Sequence, residues 1–238
     1  ARQTAMSLSF THEEWQAILL TLKVASVATL AALPVGIALG WLLARKRFPG
    51  RAVLDGLVHL PLVLPPVVTG YLLLVAFGRQ GWIGAWLADH LGIVFSFRWT
   101  GAALASAVMG LPLMVRAIRL AIEAVDRRYE LAAATLGARP VTTFFSVTLP
   151  LAAPGIVAGA VLCFAKALGE FGATITFVSA IPGETQTLAA ALYALTQTPG
   201  ADAAAWRLTL VAVVVSIAAL IASEWLARRV SQQVRGGA

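Results

Sequence analysis

The sequence predicts an all-α integral membrane protein of five to six transmembrane helices, forming a single domain over residues 1–238. Three observations carry this. Of the 238 residues, 59% are hydrophobic and 12% charged, against about 25% charged in soluble domains. With a mean hydropathy of +0.83, a soluble fold would lack the polar surface to cover itself. Several apolar runs reach the roughly 17–25 residues that a helix needs to cross a bilayer. Cations gather in alternate connections, the asymmetry that orients membrane proteins.

The elements follow in order. The first span covers about 15–44, with Lys23 near its start and Trp15 and Trp41 as interfacial anchors near its ends. The second covers about 56–78 and contains Pro61, Pro65 and Pro66. Residues 80–92 read as a short amphipathic helix lying at the outer interface. The third span covers about 99–122, with Pro112 inside it and Arg116 and Arg119 near its end. A cytoplasmic connection, 123–148, leads to the fourth span at about 149–171. Residues 172–200 are broken by Pro182-Gly183 and Pro199-Gly200. Within them, 187–195 forms a short helix that inserts part-way or, if it crosses, makes a sixth span. The last span covers about 203–226.

Twelve of the 18 Lys and Arg residues lie in three segments. These hold Arg45, Lys46, Arg47 and Arg51; Arg116, Arg119, Arg127, Arg128 and Arg139; and Arg228, Arg229 and Arg235. The alternate connections, 79–98 and 171–206, hold only Arg79 and Arg98. The positive-inside rule places the three rich segments in the cytoplasm. Five spans then put the N-terminus outside and the C-terminus inside. The first basic cluster follows the first apolar run, unlike a cleaved signal peptide. Met6 reads as a start residue.

The net charge of +7 is distributed by loop and forms no groove-sized patch, which argues against nucleic acid as a partner. The lone cysteine, Cys163, permits no disulfide framework, and His12, His59 and His90 are too scattered for a metal site. The chain has no G-x-x-x-x-G-K-[ST] phosphate loop. It also has no nucleophile–base set or paired carboxylates in its spans, so neither ATP hydrolysis nor other catalysis is expected of it.

The most informative stretch begins Tyr129-Glu130-Leu131-Ala132-Ala133-Ala134-Thr135-Leu136-Gly137-Ala138 and ends Val147-Thr148-Leu149-Pro150. Its first part has strong helix formers with small side chains, a surface able to lie flat in a groove. Gly137 lets the chain leave the helix, and Pro140 follows as it commonly does after a helix stop. This segment resembles the EAA signature of ABC-importer permeases: Glu-Ala-Ala, three residues, Gly, nine residues, Ile, one residue, Leu-Pro. From Gly137 the spacing to Val147, Leu149 and Pro150 fits without a gap. Upstream, Ala132 and Ala133 fill the alanine places with Leu131 in the glutamate place, and Glu130 stands one residue earlier.

Three further strings resemble the molybdate/tungstate importer permeases: Leu60-Pro61-Leu-Val-Leu-Pro65-Pro66-Val-Val-Thr69-Gly70, Ala167-Leu-Gly-Glu170-Phe-Gly-Ala-Thr174, and Ile181-Pro-Gly-Glu-Thr-Gln-Thr-Leu188. Sulfate permeases share much of the second string. The resemblance implies a type I ABC importer architecture in a bacterial inner membrane, with 129–138 as a coupling helix. It also implies a second copy of this chain, two ATPase subunits that carry ATP and Mg, and an extracytoplasmic molybdate-binding protein. No cofactor is expected on this chain. A sulfate/thiosulfate permease and a stand-alone anion channel or carrier are the competing readings.

Candidate residues of a translocation path are Pro65, Pro66, Thr69, Lys166, Glu170 and Thr174. An ionisable group in a span is a functional candidate by default, and Lys166 falls near the middle of the fourth span with Glu170 four residues on. The two either neutralise each other or leave Lys166 to offset the charge of a passing dianion. Gly36 and Gly40 form a G-x-x-x-G suited to close helix contact, which the resemblance would place between two copies.

Overall fold

A computed structural model describes residues 11–236, and every regular element among them is a helix. Helix α1 (His12–Arg45) opens with a capping box: Glu14 N–H donates to Thr11 Oγ1 and Thr11 N–H donates to the Glu14 carboxylate. It lies along α5 (Trp99–Ala124), which in turn lies along α8 (Leu149–Leu168). In lipid, helices associate through close van der Waals fit, so small residues dominate these seams. Ala25, Ala28, Ala102 and Ala105 are fully buried there.

Glycine decides how near the backbones come. A Cβ on Gly36 would lie 2.6 Å from Met114 Sδ, and one on Gly40 would lie 2.8 Å from Ile118 Cγ2. The G-x-x-x-G is therefore spent on α5 of the same chain, not on a second copy. The resemblance had suggested the wrong partner because the spacing marks a close-contact face without naming what meets it. On the other side of α5, a Cβ on Gly110 would meet Cys163 Sγ at 2.5 Å.

The predicted second span is not one helix. It is two, α2 (Arg51–Val63) and α3 (Pro66–Phe77), bent by 116°. Leu64 and Pro65 each precede a proline, which disfavours the α region, and both are extended. Pro66, lacking an N–H, then starts α3 at its first position. Asp55 of α2 pairs with Arg119 of α5 at 3.0 Å, and Arg119 pairs with Glu123 at 2.9 Å.

The amphipathic segment forms α4 (Trp82–Leu91). Short helices α6 (Arg127–Thr135) and α7 (Pro140–Thr143) follow α5. A π-helical turn, Phe144–Thr148, joins α7 to α8, so the apolar rod runs Pro140–Leu168. It ends short of the predicted 171 because Gly169 closes it. Beyond lie α9 (Gly172–Val178), α10 (Leu188–Thr196) and α11 (Asp202–Gly236). The short helix expected at 187–195 is α10, tied to α1 where Leu188 N–H donates to Thr21 Oγ1 at 2.7 Å. The start of α1 is fastened to α11 by Arg207 and the buried Glu14, 2.8 Å apart. Among the described residues, α1, α5, Pro140–Leu168 and Asp202–Ala222 are each long and apolar enough to cross a membrane, and the bent α2–α3 pair is a fifth candidate. Met6 lies outside the described residues.

The glycine contacts yield a contrast. Gly40→Val is expected to destabilise the α1–α5 seam by about 1–3 kcal/mol through overpacking. Gly56→Ala, where a Cβ meets nothing within 4 Å, is expected to be neutral or slightly stabilising. Thermal unfolding of the two variants in detergent checks the difference.

Candidate coupling helix and polar path

Helix α6 is built to stop abruptly. Asp126 caps it, its carboxylate accepting from Arg128 N–H at 2.9 Å. At the other end Gly137 N–H donates to Ala134 O and Ala138 N–H to Ala133 O, both at 3.0 Å. This pair of bonds is the Schellman closure, which needs a left-handed residue. Gly137 supplies it, with φ +82°. The predicted exit at Gly137 is where the chain leaves the helix, and Pro140 starts α7 three residues later.

The outer face of α6 is bare. Tyr129 is 60% exposed, Leu131 65% and Leu136 89%. Ala132 and Ala134 are exposed between them, with Ala133 and Ala138 half-buried beneath. Large apolar side chains on a short polar-flanked helix signal a contact surface.

Glu130 faces the other way. Its Oε1 accepts from Arg45 at 3.0 Å and from Thr148 Oγ1 at 2.8 Å. Arg45 also donates to Val125 O at 2.9 Å. One carboxylate thus ties α6 to the end of α1 and to the π turn. A one-residue offset rotates a helical side chain by about 100°. Leu131, in the glutamate place of the signature, points outward, whereas Glu130 points into the protein. This node was not foreseen from the sequence: Arg45 is 85 residues away and was read only as an orienting charge.

The second cluster joins two distant strings. Helices α3 and α9 pack so closely that a Cβ on Gly70 would lie 2.5 Å from Ala173 O, and one on Gly172 would lie 2.7 Å from Pro66 Cβ. The Pro65-Pro66 string and the Leu-Gly-Glu-Phe-Gly string therefore form one unit. Glu170 is 2% exposed. Its Oε2 pairs with Lys166 Nζ at 2.6 Å, and its Oε1 accepts from Ala173 N–H at 2.9 Å. Both oxygens are engaged, which is what a buried carboxylate requires.

Lys166 does not sit in mid-span. It lies in the last turn of α8, where a cation complements the helix dipole, and Glu170 lies beyond the helix end. The expectation failed because the apolar rod starts at Pro140, well before the expected 149, and stops at Leu168, so Lys166 stands two residues from its end. Thr174 is buried and donates to Phe171 O at 2.9 Å, so its hydroxyl is already used. Thr69 is buried with no hydrogen-bond partner for its Oγ1 among the described residues. Pro65 and Pro66 are exposed.

Glu130→Ala is expected to cost about 1.5–3 kcal/mol, the range for a hydrogen bond to a charged group. Arg45→Ala together with Glu130→Ala should cost less than the sum of the two. A double-mutant cycle of thermal unfolding in detergent checks the coupling.

Comparison with known proteins fits this geometry. Residues 36–232 match the family model described as binding-protein-dependent transport system inner membrane component. The chain is 60% identical over 218 residues to the molybdenum transport system permease protein ModB of Escherichia coli (strain K12), covering 92% of this chain and 95% of that one. It is 40% identical over 166 residues to the sulfate transport system permease protein CysT of the same organism, covering 70% and 60%. Among solved structures, a bacterial ABC transporter involved in the import of the acidic polysaccharide alginate has a chain of the same fold. The TM-score is 0.72 at 18% identity, covering 92% of this chain and 80% of that one. The chain thus shares its fold with the matched chain of that transporter, and it belongs to the family of multi-pass inner membrane components of binding-protein-dependent transport systems.

Proposed function

We propose that this chain is the membrane subunit of an ATP-driven molybdate importer, with tungstate as an accepted substitute. The observation that carries the reading is α6, a short helix stopped at Gly137, bare on one face and anchored by Glu130 on the other. The high identity to the Escherichia coli molybdenum permease over nearly the whole chain, against 40% to the sulfate permease, supports molybdate over sulfate.

In this reading two copies of the chain assemble with two ATPase subunits. ATP and Mg sit on those subunits and no cofactor on this chain. A separate extracytoplasmic protein delivers the oxyanion. The N-terminus lies outside, and α6 and the C-terminus lie in the cytoplasm, as the arginine distribution supports. Tyr129, Leu131, Leu136 and the intervening alanines form the docking face. The motor pushes on α6, and the Arg45–Glu130–Thr148 node passes the displacement to α1 and to the rod beginning at Pro140. Moving such a transporter from 1:99 to 99:1 outward-facing needs a motor affinity difference of about 10⁴ between the states. A rigid anchor under α6 keeps that difference from being lost in local bending.

Lys166 and Glu170 hold the junction between α8 and α9 as a charge-balanced pair, with the Lys166 side of the pair partly exposed beside the α3–α9 unit. Thr69, whose hydroxyl is buried without a partner among the described residues, would meet an oxyanion only in a conformation that uncovers it.

Co-purification with the ATPase subunit and uptake of labelled molybdate by the reconstituted complex test the reading. Gly137→Trp is expected to abolish association or uncouple ATP hydrolysis from uptake while the protein still inserts. Normal uptake by that variant would defeat the coupling assignment. Excess sulfate should compete weakly. Lys166→Ala is expected to lower uptake more than it lowers recovery of assembled protein; equal losses would make the pair purely structural.

A further inference from the structure

We infer that the chain carries a binding site for an anionic phospholipid of the cytoplasmic leaflet, wedged between the end of α1 and α6. The sidedness rests on the orientation given above; the site itself does not.

Two adjoining cavities make the slot. The first is a groove of about 490 Å³ walled by Pro34, Ile37 and Trp41 of α1 and by Pro140, Val141 and Phe145 opposite. No charged residue lines it, and Val141 and Phe145 are strongly exposed. The second, a recess of about 430 Å³, shares Trp41, Pro140 and Phe144 with the groove. It contains Arg45, Lys46 and Arg127 against the single carboxylate of Glu130. Trp41 and Phe144, in edge contact at 5.8 Å, mark the boundary between the two.

Depth and charge fit one class of occupant. Pro34 lies eleven residues before Arg45, about 16 Å along the helix axis. That is about half of a hydrocarbon core of roughly 30 Å, so the groove runs from the interface to mid-bilayer. It matches the path of an acyl chain. Trp41 sits one turn from the charged end, the usual depth of interfacial tryptophan.

The recess has cations to spare. Arg45 is neutralised by Glu130. Lys46 and Arg127 have no acidic partner among the described residues; Lys46 lies 5.5 Å from the Trp41 ring centre. Arg127 is the first residue of α6, where the helix dipole opposes a cation, so its position is not explained by the helix. A phosphate between Lys46 and Arg127 would satisfy both. Basic pockets beside spans at the cytoplasmic boundary are of the kind that take anionic head groups. The bound head group would lie beside the Glu130 anchor, against Ala134 and Ala138, with Leu131 at the rim of the recess.

Native mass spectrometry of the detergent-purified chain, titrated with phosphatidylglycerol or phosphatidylcholine, tests this. The wild type is expected to retain phosphatidylglycerol about tenfold better, given two uncompensated cations near the head group. Lys46→Ala with Arg127→Ala should erase that preference. Both side chains lack acidic partners, so folding should survive, as a size-exclusion profile will show. Ala38 also lines the groove, and Ala38→Phe, which fills it, should lower adducts of both lipids. Equal retention by the wild type, or a preference that survives the double substitution, would overturn the site. Displacement by inorganic phosphate would assign the recess to a free anion instead, and displacement by the ATPase subunit would assign it to a protein. Binding in detergent needs neither transport nor sidedness, so a failure of uptake or a reversed topology would leave this result standing.

Discussion

Close backbone approach is the constraint on which this molecule depends. Lipid supplies no hydrophobic force between helices, so the bundle coheres only where atoms fit. Helix α5 is the centre of that fit: α1 reaches it at Gly36 and Gly40, and α8 reaches it at Gly110 and Gly159. The α3–α9 contact at Gly70 and Gly172 repeats the device at the candidate path. Where the backbones touch there is no side chain left to adjust, so neighbouring rods move together or not at all.

Ion pairs are then placed where the rods end. Glu14 with Arg207, Arg45 with Glu130, and Lys166 with Glu170 each bridge separate elements at a helix terminus. Burying a pair is seldom a large net gain, but losing one partner leaves a charge stranded. These contacts therefore set which ends belong together more than they add stability. Glu130 is the sharpest case, since one oxygen holds α6, α1 and the π turn to a single point.

Much of this was legible in the sequence, and the reasons are local. The stop of α6 followed from Gly137 and Pro140, and the short helices α4 and α10 followed from amphipathic or broken apolar runs. The basic connections and the Leu-Pro spacing identified the segment between spans. What stayed hidden was long-range. Pro65-Pro66 announces a break but not a 116° bend. Gly36 and Gly40 announce a contact face but not α5. Arg45 looked like an orienting charge because nothing near it in sequence points to Glu130. Lys166 looked central because the sequence did not show that the apolar rod starts at Pro140, through the π turn, and stops at Leu168.

The ion pair between Glu14 and Arg207 has a temporal consequence. Its partners are separated by 193 residues, nearly the whole chain. At about 5–20 residues per second of synthesis, Glu14 waits roughly 10–40 s for its arginine. Throughout that interval the first helix carries an unmatched carboxylate at its start, which holds that end at the water interface while later helices enter. Arrival of Arg207 at the start of α11 ends the wait, so the first and last described helices close on each other only after every helix between them has been made.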